Sequence, residues 1–176
     1  MLQINLYNPG TLSKQILIDN FIIRKEEFDR IFYEIEHDDM KNPPQHFIIQ
    51  AQRGNGKTTL LWRLYYEVEN NRKLNKWLLP VIFNEEEYRI RTLYKLWEAI
   101  AEYLEESKES CFKGIANEME QQENDENYER KCYKILKKYL KENNNKIVVF
   151  IDNIGDILKR FNDDEEHRFR EILMTD

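Results

Sequence analysis

The chain has 176 residues, 41% of them hydrophobic and 12% aromatic, which is enough for one domain with a core and excludes a fully disordered protein. Its 27 basic and 33 acidic residues give a net charge of -6, which excludes binding of nucleic acid through bulk positive charge. No apolar run approaches the ~18 residues of a membrane span, and no signal peptide is visible. Cys111 and Cys132 are too few for a disulfide scaffold, so we expect a reducing, cytoplasmic location.

Apolar periodicity divides the chain into helices and short strands. Residues 1–20 show no period and are predicted to be an extended leader, with the domain over 21–176. Apolar runs too short for a helix predict three strands, at 46–50, 78–83 and 146–151. Spacings of three and four residues predict helices at 24–36, 60–68, 93–104, 112–119 and 132–140, and from Asp163 onward, where Glu166 is placed for a capping box.

The order of these elements predicts the fold class. Near-continuous apolar strands alternate with helices, and the stretch 88–142 is mainly helical. Such strands are typical of parallel sheets that helices cover on both faces. The sequence therefore predicts an α/β fold with a mainly parallel sheet.

The segment 51–58, AQRGNGKT, has the pattern of a phosphate-binding loop. It matches G-x-x-x-x-G-K-S/T, with Ala51 in place of the first glycine. Glycines let the loop curl so that backbone N–H groups and the following helix N-terminus face an anion. Lys57 is predicted to bind the β- and γ-phosphates and Thr58 to ligate Mg²⁺. The predicted cofactor-binding residues of this loop are Arg53, Gly54, Asn55, Gly56, Lys57, Thr58 and Thr59.

A second acidic site is predicted where the strand 146–151 ends. Asp152 would lie at the carboxyl edge of the sheet, where α/β proteins bind ligands, and is predicted to share the Mg²⁺ site with Thr58. Lys57, Asp152 and Asn153 are the candidate catalytic residues. Asn153 stands where many ATPases have a water-activating glutamate, and an amide does not accept a proton.

Three explanations for Asn153 stay open. Hydrolysis is slow, a partner completes the site, or a nearby carboxylate replaces the glutamate. The nearby carboxylates are those of Asp156, Asp163, Asp164, Glu165 and Glu166.

The segment 152–155 also fits the GTPase pattern D-x-x-G. That pattern fixes two positions only, and the guanine-reading pattern N-K-x-D is absent from the sequence. Adenine is therefore preferred over guanine.

Three segments in order resemble ATPases of the AAA+/STAND type, in the origin-recognition-like and archaeal-ATPase-like branches. Residues 21–28, FIIRKEEF, resemble the box F-v-G-R-e-x-E-L, and residues 54–61, GNGKTTLL, resemble G-x-G-K-T-T-L-L. The strand ending in Asp152 resembles the second acidic motif of that family.

The resemblance implies a three-layer P-loop NTPase fold that lacks its last strands and its lid, so that the chain is an N-terminal portion. It also implies ATP and Mg²⁺ as cofactors, with Phe21 and Ile22 beside the adenine; the alternative is that both are core residues.

These observations lead to an expected function and its rivals. We expect an ATP-binding module whose nucleotide state drives a conformational or assembly change in a larger protein. Whether it also hydrolyses ATP stays open. Its expected partners are the nucleotide and other proteins or copies of itself, with no membrane and no direct nucleic-acid contact. The alternatives are a non-hydrolysing scaffold that docks partners through 88–142, a GTPase and a small-molecule kinase.

Overall fold

The computed structural model describes residues 13–38, 45–52, 54–84 and 89–175. Most of these residues are helical. The helices are α1 Lys14–Asp19, α2 Lys25–His37, α3 Lys57–Asn70, α4 Leu93–Ser107, α5 Glu109–Phe112, α6 Ile115–Glu120, α7 Tyr128–Glu142, α8 Ile154–Leu158 and α9 Asp163–Thr175. The strands are β1 Leu78–Phe83 and β2 Lys146–Ile151, and a 3-10 turn at Leu74–Lys76 precedes β1.

The two strands form a parallel pair. Their register runs from Leu78 opposite Lys146 to Phe83 opposite Ile151, and the Asp152 N–H extends the ladder by donating to the Phe83 carbonyl at 3.0 Å. Because parallel strands end at the same edge of a sheet, the residues after Phe83 and Ile151 emerge side by side. Asp152 is thereby fixed at the carboxyl edge of the sheet.

Both faces of this small sheet are buried, each in its own apolar cluster. Successive side chains of a strand point to opposite faces, and β1 follows that rule. Leu79, Val81 and Phe83 pack with α4, α6 and α7 in the first apolar cluster. Leu78 and Ile82 pack with α2 and α3 in the second apolar cluster. The alternation explains why a strand as uniformly apolar as β1 is stable here.

Helices α2 and α3 run parallel to each other. The Arg63 guanidinium lies 4.5 Å from the centre of the Phe28 ring, and the Asn71 side-chain amide donates to Glu36 at 3.2 Å. The two contacts advance by the same number of residues along both helices. The N-terminal ends of α2 and α3 therefore lie at the same end of the molecule.

The predicted fold class is wrong. Among the described residues the structure is rich in helices and has a two-stranded parallel sheet, so it is not a three-layer P-loop sheet fold. The predicted strand 46–50 is not formed, and its side chains are largely exposed, Ile48 at 81%. A strand requires a neighbour for its backbone groups, and no described strand pairs with this segment. Its observed contacts are the packing of Ile49 against the second cluster and a 2.8 Å hydrogen bond between His46 and the Leu173 carbonyl.

Two of the predicted strands and the predicted helices are present in the structure. The strands at 78–83 and 146–151 and the helices that became α2, α3, α4, α6, α7 and α9 are confirmed. The predicted leader falls largely on residues 1–12, outside the described ranges, but 14–19 form the helix α1, which Ser13 caps through the Ile16 N–H. The short helix α8 was not predicted.

The capping box of α9 lies one residue earlier than predicted. The Asn162 N–H donates to Glu165 at 3.1 Å, and the Glu165 N–H donates to the Asn162 side chain at 2.9 Å. The other Glu165 carboxylate oxygen accepts the Leu93 N–H at 2.9 Å, which caps α4 as well. One carboxylate thus satisfies donors at the starts of two helices.

No helix in the described part of the chain combines the length and the apolar character needed to cross a membrane.

Replacing Glu165 with alanine should lower the free energy of unfolding by about 1–2 kcal/mol, because both helix starts lose a cap. The neighbouring exposed Asp164 is the matched control, and Asp164→Ala should change that free energy by less than about 0.5 kcal/mol. Urea denaturation of both variants measures the difference. Equal losses for the two variants would contradict the double-cap assignment.

The two cysteines should differ sharply in reactivity. Cys111 is exposed, whereas Cys132 is buried, and burial raises the pKa of the Cys132 thiol to about 11. Because the thiolate is the reactive form, iodoacetamide at about pH 8 should label one thiol in the folded protein and both in urea. Labelling of folded Cys111→Ser at the wild-type rate would contradict this assignment.

Candidate functional site

The segment 51–56 connects irregular backbone to the start of α3. Gly54 and Gly56 have φ angles of 84° and 70°, in the left-handed region, and the Asn55 N–H donates to the Gln52 carbonyl at 3.3 Å. A Cβ added at either glycine would meet open space, so backbone angle, not crowding, is the reason for glycine. Arg53, also predicted to bind the cofactor, lies outside the described residues.

Lys57 and the N-terminus of α3 provide the positive charge of this loop. The Lys57 ammonium donates to the carbonyls of Ala51 and Gln52 at 2.8 and 3.2 Å, so its side chain folds back across the loop. Gly56 is the N-cap of α3 and offers no side-chain acceptor to the first helical N–H groups. The uncapped end of a 14-residue helix therefore lies beside a lysine, which favours an anion.

Asp152 lies against the first turn of α3. One carboxylate oxygen accepts the Thr58 hydroxyl at 2.5 Å, and the other accepts the Asn153 N–H at 3.0 Å. Thr58 and Asp152 are 94 positions apart in the sequence, so the fold alone brings them together. The predicted pairing of the loop with the strand-end carboxylate is therefore present as a direct contact.

The charge of Asp152 is not balanced within the described ranges. It is 7% exposed, which makes it the one buried carboxylate there, and none of the ion pairs in those ranges involves it. Lys57, the cation closest in sequence to Thr58, bonds backbone carbonyls instead. A buried carboxylate without a cation is electrostatically costly, and a bound cation would remove that cost.

The Thr58 and Asp152 oxygens fit Mg²⁺. That ion takes oxygen ligands, and proteins usually bind it through one or two carboxylates together with phosphate oxygens and water. Within the described chain no three His, Cys, Asp or Glu side chains cluster as a metal site. The protein would thus supply a part of the coordination shell and leave positions for a phosphate ligand.

Asn153 has a structural duty in this arrangement. It adopts a left-handed backbone conformation with φ of 53°, and it is the N-cap of α8. Its N–H orients Asp152, and its side-chain amide lacks the basicity of a carboxylate. The position is consistent with contact to the site but not with a general base.

The carboxylates proposed as substitutes for a glutamate have other partners. Asp156 pairs with Lys159 at 3.0 Å, Glu166 pairs with Arg170, and Glu165 caps α4. The exposed residues Asp163 and Asp164 belong to the acidic first turn of α9. No hydrogen bond or ion pair within the described ranges joins any of the five to the loop.

The two residues predicted beside the adenine differ in burial. Phe21 packs edge-to-face on Phe28, with ring centroids 5.6 Å apart, and belongs to the second apolar cluster. Ile22 is 81% exposed and lies just before α2, at the end of the molecule where α3 begins. Phe21 is thus partly buried against this cluster, whereas the Ile22 side chain is exposed.

Arg24 lies at the same end of the molecule and matches the arginine of the box F-v-G-R-e-x-E-L, but the sequence predicted no role for it. Its side chain is 10% exposed, a burial that depends on tertiary packing.

No protein-family model, curated protein or solved structure matches the chain at a significant level. The function of the loop and of Asp152 is therefore inferred from their geometry and chemistry.

Replacing Thr58 with valine should lower the free energy of unfolding by about 1–3 kcal/mol, because a buried Asp152 oxygen loses its donor. The matched control is Thr59→Val in the same helical turn, since the Thr59 hydroxyl makes no hydrogen bond to the described residues. The control should change the free energy of unfolding by less than about 0.5 kcal/mol. Chemical denaturation without metal measures both, and a loss in the control as large as in Thr58→Val would contradict the contact.

Proposed function

We propose that the chain binds ATP together with Mg²⁺ at the site formed by residues 54–59 and Asp152. The observation that carries the proposal is the contact between Thr58 and the buried Asp152 carboxylate, beside an uncapped helix N-terminus and a lysine. An anion site and a cation site that share one edge suit a phosphate chain with its metal. A free anion would occupy the anion site alone, and a free cation would occupy the cation site alone.

Each residue has a distinct part in this proposal. Backbone N–H groups of Gly54 and of residues 56–59 bind phosphate oxygens, and Lys57 turns from the Ala51 and Gln52 carbonyls to the more strongly charged phosphates. Thr58 and Asp152 hold Mg²⁺, which neutralises charge on the phosphate chain. Asp152 is oriented for this by the Asn153 N–H.

Adenine is the proposed base. The resemblance of residues 54–61 and of the Asp152 strand to AAA+/STAND ATPases supports ATP, and the sequence lacks the N-K-x-D pattern that reads guanine. Ile22 offers an exposed apolar surface at the correct end of the molecule. The resemblance is confined to these motifs, because the described residues form a two-stranded sheet and not the larger one that the family would imply.

The same contact suggests how nucleotide would act on a larger assembly. Thr58 opens α3 and Asp152 precedes α8, so their hydrogen bond links two helices through a single pair of atoms. Ligand at this point changes the link and thereby the relation of α3 to α8. We propose that a cytoplasmic protein uses this change to alter contacts with a protein partner or with another copy of itself.

Lys57→Ala should weaken binding of a non-hydrolysable ATP analogue with Mg²⁺ by about 10- to 100-fold, because a charge-assisted phosphate contact is lost. Titration calorimetry measures the affinity. Lys159→Ala is the control, since Lys159 is 78% exposed, pairs with Asp156 and should not alter binding. Equal affinity of wild type and Lys57→Ala would overturn the proposed site.

A second candidate function is a nucleotide-binding module that does not hydrolyse ATP. Asn153 replaces a base, and the neighbouring acidic residues have other contacts, which favours binding without turnover. We expect phosphate release from Mg-ATP by the wild type to equal that of Asp152→Ala, while the wild type still binds the ATP analogue. Release well above this control would favour an ATPase.

A further inference from the structure

Arg24 is a buried cation with unused hydrogen-bond donors. It precedes α2 with a left-handed backbone angle φ of 67°, and its side chain is nine-tenths buried. One terminal nitrogen donates to Glu27 at 3.0 Å. The Nε and the other terminal nitrogen are buried and have no hydrogen-bond partner among the residues that the structure describes.

Such an arrangement needs an acceptor from elsewhere. Burying charged N–H groups without acceptors costs free energy, and native proteins rarely leave them so. Glu27 is 44% exposed and bonds one nitrogen, so it leaves two donor positions open. An anion that binds from solution would satisfy them.

The helix register indicates that Arg24 lies near the start of α3. Phe28 lies against Arg63, and Glu36 lies against Asn71, with the same offset in both contacts of the parallel helices. One turn before Phe28 is Arg24, and one turn before Arg63 is Thr59. Arg24 is therefore abreast of the first turn of α3, at the helix end that carries Lys57 and Thr58.

We propose that Arg24 is a further phosphate-binding residue of this site and contacts the phosphate chain of the nucleotide, not its base; this inference rests on the proposed function. A guanidinium presents a planar fork of N–H donors that matches phosphate oxygens. Arg24 has one counter-ion, the partly exposed Glu27, and phosphate would add negative charge beside its two unpartnered nitrogens, whereas an adenine base is neutral. The unpaired donors thus lower the stability of the ligand-free protein and gain acceptors when phosphate binds.

Arg63 provides a matched comparison on the adjacent helix. It is also largely buried and, like Arg24, pairs with a glutamate, Glu67, but it lies over the Phe28 ring and has no buried nitrogen without a hydrogen-bond partner among the described residues. It stands one turn further from the loop than Thr59. Arg63 therefore lacks unpaired donors that an anion would satisfy, and its replacement should not change the affinity for the ligand.

The test compares Arg24→Gln with Arg63→Gln, using a non-hydrolysable ATP analogue and inorganic tripolyphosphate as probes, each with Mg²⁺. Tripolyphosphate has no base, so it isolates contacts to the phosphate chain. Arg24→Gln should bind both probes about 10-fold more weakly, which corresponds to one charge-assisted hydrogen bond. Arg63→Gln should keep wild-type affinity for both.

The melting temperature without ligand separates binding from a structural role. Arg24→Gln should melt no lower than wild type, because it removes unpaired buried donors, and its stabilisation by Mg-ATP analogue should shrink. A lower melting temperature with wild-type affinity for both probes would overturn the proposal, as would loss of affinity for the ATP analogue alone. If Arg24→Gln does not fold, Arg24→Lys keeps the charge without the fork and should show a smaller loss for both probes; an unchanged affinity would overturn the proposal.

Lys57→Ala distinguishes this inference from the proposed function. Weaker binding by Lys57→Ala with unchanged binding by Arg24→Gln would overturn the role of Arg24 alone. No binding of either probe by wild type would overturn both.

Discussion

The hydrogen bond between the Thr58 hydroxyl and the buried Asp152 carboxylate is the constraint on which the site depends. It joins the first turn of α3 to the end of β2 across 94 positions of sequence. It also leaves a carboxylate at 7% exposure without a cation among the described residues. Hydrogen bonds from Thr58 and Asn153 lower the cost of burying this carboxylate, and neither donor neutralises its charge, as a bound metal ion would.

The fold supplies this constraint with few elements. Parallel pairing of β1 and β2 delivers Asp152 to one edge of the sheet, and the apolar clusters on the two faces fix the helices around it. The parallel arrangement of α2 and α3 then brings Arg24 to the same end as Lys57. The proposed Mg-nucleotide would contact positive groups on these two helices and the carboxylate at the end of the sheet.

Local sequence patterns predicted those helices, strands and turns that depend on the residues within each segment. The strands 78–83 and 146–151, the amphipathic helices and the glycines of the loop follow from periodicity and backbone preference. The predicted strand at 46–50 was wrong because an apolar segment forms a strand only beside a pairing partner, and its own sequence does not encode that partner. The contact of Glu165 with the start of α4 and the unpaired donors of Arg24 depend on tertiary packing, which local sequence patterns do not reveal.

The most direct test is the coupling between metal and carboxylate in nucleotide binding. Titration calorimetry would measure the affinity for a non-hydrolysable ATP analogue with Mg²⁺ and with EDTA, for wild type and for Asp152→Asn, which keeps the shape of the side chain. If Asp152 holds the metal, Mg²⁺ should tighten binding by wild type at least about 10-fold more than binding by the variant. An equal effect of Mg²⁺ on both proteins would contradict a metal site at Asp152.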